Sequence, residues 1–185
     1  MSNVRKLVIT AICIALCIVL PLAFHTLPNA GRMFSPMHIP ALLCGLACGP
    51  FFGMLCGATG PLLSSLLTGM PMMPMVPTMM LELAAYGFLS GLLMRFIRTK
   101  SVMADLYICL LAAMLGGRII SGLAAWLFFQ AGSYTMAAWT ASYFVNSFPA
   151  IILQLAVIPS IVFALEKAGL MQKRYSAEIK DTVNG

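Results

Sequence analysis

The stretch TMMLELAAYGFLSGLLMRFI, residues 78–97, decides how this chain is read. At about 1.5 Å per residue, a helix of this length crosses the ~30 Å hydrocarbon core of a bilayer. Its interior keeps a carboxylate, Glu82, and follows it with Tyr86 and Ser90 at steps of four, so that the three share one helical face. A charge at mid-bilayer depth costs roughly 2.5–3.5 kcal/mol on insertion scales. A segment that carries this cost is expected to turn Glu82 away from lipid, toward partners or a cavity.

Two further apolar segments repeat the pattern. Arg118 lies inside the run from Met103 to Gln130, on one face with Ser121, Gly122 and Ala125. Asn146 lies inside the run from Met136 to Lys167, where Trp139, Tyr143, Asn146, Ala150 and Gln154 follow one another at steps of four, three, four and four. Aromatics above an amide, with a second amide deeper, are the lining of a small-molecule site in a helix bundle. An interfacial aromatic belt accounts for Trp139 and Tyr143 but not for Asn146 or Gln154. In an enclosed polar cavity, Arg118 would meet an anionic ligand group and Glu82 would accept from hydroxyl or amide donors. The alternative is a structural Glu82–Arg118 ion pair, and both hold if the pair opens on binding.

Composition narrows the class. The 185 residues are 61% hydrophobic and 9% charged, whereas soluble domains carry about 25% charged residues. The formal net charge of +6 does not mark a nucleic-acid binder, because the basic residues cap helix ends rather than forming one patch. No phosphate-binding G-x-x-x-x-G-K-[ST] loop and no H-E-x-x-H motif is present, and Ser64 or Ser65 with His38 lacks a supporting catalytic pattern. No enzyme, cofactor or metal site is expected. The six cysteines all fall in apolar segments without a C-x-x-C, which reads as small buried apolar residues rather than disulfides or ligands.

The periodicity predicts an all-α integral membrane protein of six transmembrane helices. They cover about Val4–Phe24, His38–Cys48, Pro50–Thr68, Thr78–Ile97, Met103–Gln130 and Met136–Lys167. The first apolar run follows Arg5 and Lys6 and lacks a convincing cleavage site, so it is read as a retained helix and not a signal peptide. Residues 1–168 form one substrate-binding domain and 169–185 a polar cytoplasmic tail. Six spans put both termini on one side, together with Arg5, Lys6, Arg95, Arg98, Lys100, Lys167, Lys173, Arg174 and Lys180; Arg32 stands on the other. The positive-inside rule makes the first side cytoplasmic, with both termini there, in a multi-pass protein of the cell membrane.

The second helix, bracketed by Pro40 and Pro50, is too short to span. Irregular backbone at that depth must be buried in protein or line a cavity, so the segments His25–Met37 and Gly69–Pro77 are expected to fold over something on the outer side. Gly45, Gly49, Gly53 and Gly57 recur every fourth residue, with Gly60 beyond, a spacing that lets helix backbones touch. Ala11 and Ala15 form a further small-x-x-x-small pair, either packing internally or docking another membrane protein. Ser64, Ser65 and Thr68 are expected to bond back to their own helix carbonyls, and His38 reads as a polar helix start. The methionines from Met70 to Met80 suggest a surface that repacks around a ligand.

Several of these stretches resemble one family. Phe34-Ser35-Pro36-Met37-His38-Ile39-Pro40, followed by Leu42-Leu43-Cys44-Gly45 and Gly49-Pro50, is similar to the membrane S components of energy-coupling factor (ECF) vitamin transporters. So are Gly60-Pro61-Leu62-Leu63-Ser64-Ser65-Leu66-Leu67-Thr68-Gly69-Met70-Pro71 and Glu82-Leu83-Ala84-Ala85-Tyr86-Gly87. The resemblance runs from the first helix to the sixth. It implies a six-helix binding subunit without ATPase activity, working with a transmembrane coupling subunit and two ATPase subunits. It implies that Ala11 and Ala15 dock that coupling subunit, and that the ligand sits in the outer half between the last three helices under the two loops. The substrate-binding residues are then Arg118, Glu82, Tyr86, Asn146, Tyr143, Trp139, Gln154 and His38. The pattern most resembles the pantothenate-type members, whose ligand has a carboxylate to suit Arg118. Nicotinate also has one; α-ribazole and hydroxymethylpyrimidine do not. Met37-His38-Ile39-Pro40 also resembles the start of metal-ion S components, but here it is internal and further histidines are lacking. A stand-alone small channel or membrane scaffold is the competing class.

Overall fold

Six α-helices and one 3₁₀ turn make up a computed structural model that describes residues 2–23, 36–99, 101–124, 126 and 148–167. The helices are α1 (Asn3–Ala23), α2 (His38–Cys48), α3 (Pro50–Thr68), α4 (Val76–Phe96), α5 (Val102–Ala124) and α6 (Phe148–Lys167), and the 3₁₀ turn Met73–Met75 leads into α4. No strand occurs among the described residues. Among the described residues, four helices are long and apolar enough to cross a membrane: α1, α3, α4 with its lead-in turn, and α5. The whole of α2 and the Ala150–Leu165 stretch of α6 are apolar but shorter.

The fourth helix starts earlier than its sequence pattern suggests. Val76 and Pro77, expected in the loop, form its first turn. Proline fits there because the first helical N–H groups have no intrahelical acceptor to lose. The connection from α3 is therefore a tight one. Gly69 caps α3 in the left-handed region at φ 73°, Ser65 Oγ donates to Pro71 O at 2.7 Å, and Met75 N donates to Met72 O at 2.8 Å.

The glycine repeat is a backbone seam. A Cβ on Gly45 or Gly53 would collide with the carbonyl of Gly87, one on Gly57 with that of Leu83, and one on Gly91 with the backbone of Gly49 and Pro50. So α2, α3 and α4 meet main chain to main chain, where no side chain fits. Ser90, expected on the face of Glu82, belongs to this seam: its Oγ donates to Leu42 O at 3.3 Å and to Gly87 O at 3.2 Å. At the end of the hairpin, Gly49 adopts φ 99° and lies against the Arg95 guanidinium.

α1 is the least buried of the spans. It packs through Thr10, Cys13 and Cys17, at steps of three and four. The two cysteines join Cys44, Cys48 and Cys56 in a buried cluster between α1, α2 and α3. All six cysteines are buried free thiols, as expected for small apolar filling. Ala11 and Ala15 face outward with Leu7, Val8, Ile12 and Leu16; internal packing of this pair is not what the fold uses.

The main core lies among α2, α4, α5 and α6, built from Leu42, Leu46, Tyr86, Leu106, Leu110, Met114, Ile158 and Val162. Two ends of the bundle are defined chemically. Lys6 lies over the Phe52 ring at 5.9 Å and its carbonyl accepts from Cys48 Sγ, so Lys6, Gly49, Phe52 and Arg95 share one end. At the same end Asp105, fully buried, accepts from Thr99 N at 2.7 Å and Thr99 Oγ1 at 2.5 Å, tying the α4–α5 connection. The Gly69–Met75 connection closes the opposite end.

Candidate ligand-binding site

At eleven residues, α2 rises only about 16 Å from the basic end. It stops inside the bundle, with Met37 and Ala41 packed against Leu83 of α4. This brings His38 to the depth of Glu82. The histidine that reads as a simple polar cap is thus 6% exposed and faces a carboxylate, Nε2 lying 3.5 Å from Glu82 Oε1.

Tyr86, one turn further along α4, continues the chain. Its hydroxyl donates to Glu82 Oε1 at 2.8 Å and accepts from Arg118 Nε at 3.0 Å. The ring can reach α5 because it lies on Gly117, where a Cβ would overlap it. Its other side meets the His38 ring, with centroids 5.1 Å apart and planes at 53°. Arg118, Tyr86, Glu82 and His38 therefore form one hydrogen-bonded run across α5, α4 and α2. The sequence pairs Glu82 with Arg118; the structure interposes Tyr86 as the link between them. Tyr86 is fully buried and Arg118 is 4% exposed. Ser121 Oγ donates to the Arg118 carbonyl at 3.3 Å, holding that turn.

Gln154 lies on α6. It is 1% exposed, and its neighbours Ile151, Leu155 and Ile158 pack in the core that holds Tyr86. Among the described residues neither its Nε2 nor its Oε1 has a hydrogen-bond partner, and His38 Nδ1 also lacks one there. Buried polar atoms are almost always satisfied in native folds, so Gln154 and His38 are the residues of this region with hydrogen-bonding capacity to spare.

Of the eight expected binding residues, the structure brings His38, Glu82, Tyr86 and Arg118 into contact and sets Gln154 in the same core. Trp139, Tyr143 and Asn146 lie outside the described residues, as does most of the expected loop His25–Met37. The hydroxyls of α3 divide. Thr68 Oγ1 bonds back to Ser64 O at 2.7 Å as expected. Ser65 instead anchors the loop, and Ser64 Oγ is buried without a partner. Asp105 was missed by sequence reasoning because an acidic residue in a first helical turn looks like ordinary dipole compensation.

Among the described residues no group of three His, Cys, Asp or Glu side chains is arranged to hold a metal ion. What the bundle offers is a guanidinium, a carboxylate, an imidazole and an amide inside apolar helices. No curated protein and no solved structure shows a significant match to the chain. The family model for the substrate-specific component of ECF transporters does match, over residues 5–171, and the chain belongs to that family.

Proposed function

We propose that the protein is the S component of an ECF-type importer that captures a water-soluble vitamin or precursor, with pantothenate as the ligand. The observation that carries this reading is the buried run Arg118–Tyr86–Glu82–His38 at the His38 end of a short α2. A purely structural ion pair needs no buried histidine on its carboxylate. Arg118 supplies the positive charge for a carboxylate, and Glu82, Tyr86, His38 and Gln154, with Asn146, Tyr143 and Trp139, complete the lining. Nicotinate is the alternative carboxylate; α-ribazole and hydroxymethylpyrimidine leave Arg118 without an anion.

On this reading the chain crosses the cell membrane six times, with both termini and the Lys6–Arg95 end in the cytoplasm and the ligand site in the outer half. Residues 1–168 form the binding domain and 169–185 the cytoplasmic tail. Uptake is driven by two ATPase subunits through a coupling subunit shared with other S components. Ala11 and Ala15 dock that coupling subunit: they are exposed on the least buried helix, and small residues let a partner helix approach closely. The test is calorimetric titration of the purified protein in lipid nanodiscs with pantothenate and with nicotinate. One site per chain for pantothenate supports the reading. Binding of neither, by folded protein, overturns it.

A further inference from the structure

We infer that Tyr86 is a spacer: its hydroxyl, set between Arg118 and Glu82, keeps these opposite charges from closing on each other and so leaves the guanidinium able to take a ligand carboxylate. Tyr86 is on this account a positioning residue that acts through Arg118. The inference rests on the proposed function, in which Arg118 meets a carboxylate.

Opposite charges attract far more strongly in a low-dielectric interior than in water. Glu82 and Arg118 lie on α4 and α5, two helices packed on each other, and both are largely withdrawn from solvent. Left to themselves they would form the structural pair that their sequence positions suggest. A ligand carboxylate would then have to displace one already on the arginine. The bonds run otherwise. Arg118 Nε donates to Tyr86 Oη at 3.0 Å, and Tyr86 Oη donates to Glu82 Oε1 at 2.8 Å. The same Oε1 has His38 Nε2 at 3.5 Å, and among the described residues no direct ion pair joins Glu82 to Arg118. A phenol suits this place because one oxygen both accepts and donates. It bonds to each charge and keeps them apart.

A spacer has to be rigid, and the fold clamps this one. The Tyr86 ring lies on Gly117, where a Cβ would overlap Cδ1 and Cε1. Its other side meets the His38 ring, with centroids 5.1 Å apart. The residue is fully buried, in the core that contains Leu42, Leu110 and Ile158. Swinging the ring away would open a void in that core, which costs stability. Gly117 directly precedes Arg118, so the glycine that seats the ring also sets where the arginine leaves α5. A phenylalanine would fill the same seat without the hydroxyl, which makes the spacer testable on its own.

The test is a double-mutant cycle of full-length protein in nanodiscs: wild type, Tyr86→Phe, Glu82→Gln and the two together. Each is titrated with pantothenate and with nicotinate, beside a thermal melt of the same preparation. For the acid that wild type binds, Tyr86→Phe is expected to lose at least tenfold in affinity. It is expected to melt no lower than wild type, because a direct Arg118–Glu82 pair takes the place of the two phenol bonds. Neutralising the competing carboxylate should then relieve the loss: Glu82→Gln is expected to favour binding at least fivefold more in the Tyr86→Phe background than in wild type. Wild-type affinity in Tyr86→Phe overturns the inference. So does a cycle in which the two substitutions act independently, which would put the hydroxyl on the ligand itself or make it a purely structural bond. Both of those results, with an acid bound by wild type, leave the proposed function standing. Binding of neither acid by folded wild type overturns both.

Discussion

Replacing Arg118 by alanine separates a binding site from a structural pair. The guanidinium is 4% exposed and donates to Tyr86 Oη at 3.0 Å, which in turn donates to Glu82 at 2.8 Å. Alanine removes the only basic side chain in this run other than His38, so a bound carboxylate would face Glu82 with no compensating charge. Truncating one partner of a buried, hydrogen-bonded charge pair costs about 2–5 kcal/mol, which at 1.4 kcal/mol per decade is a loss of roughly thirtyfold to several thousandfold in affinity. The protein itself should tolerate the change better, because hydrogen bonds between membrane helices average about 0.6 kcal/mol in double-mutant cycles. The assay is pantothenate titration beside a thermal melt of the same nanodisc preparation. The account expects affinity to collapse while the melting temperature moves little. Arg118→Lys, which keeps the charge but loses the planar fork, should fall between. Unchanged affinity with a strongly lowered melting temperature would refute the reasoning and make Arg118 a structural residue.

Other outcomes follow from other parts of the fold. Ala11→Trp or Ala15→Trp should block vitamin uptake by the assembled transporter but leave the affinity of the isolated subunit unchanged; equal loss of both would show that these alanines serve the binding site. Gly57→Leu should destabilise the fold by at least about 2–3 kcal/mol, because the added side chain meets the Leu83 carbonyl and no rotamer avoids it; a melt unchanged from wild type would contradict the backbone seam. Amides of Gly69–Met75 should exchange more slowly with pantothenate bound, since a cavity holding charges must be covered from lipid and water; equal exchange with and without ligand would count against a closing outer connection.

Much of this arrangement was legible in residue spacing. Helical periodicity put Glu82 and Tyr86 on one face, and the fourfold glycine repeat marked the seam, because a missing Cβ has one common use at that spacing. Periodicity names a face but not a partner. That Tyr86 stands between Glu82 and Arg118 depends on Gly117 leaving room for its ring, which no feature of α4 alone reveals. His38 was undervalued as a cap because its depth follows from the shortness of α2 and from contacts to Leu83, both properties of the packed bundle. Ser90 shares the face of Glu82 as its spacing indicates, but two turns further on that face meets the α2 carbonyl of Leu42 instead of the site.

On the proposed reading, these buried polar groups hold a small anionic molecule within the membrane. Native mass spectrometry of the protein purified from its own membrane tests it most directly. One bound small acid per chain is expected, displaced by added pantothenate and missing from Arg118→Ala. A wild-type protein that carries no small molecule, takes up none when pantothenate or nicotinate is added, and conducts ions in a planar bilayer by itself would contradict it.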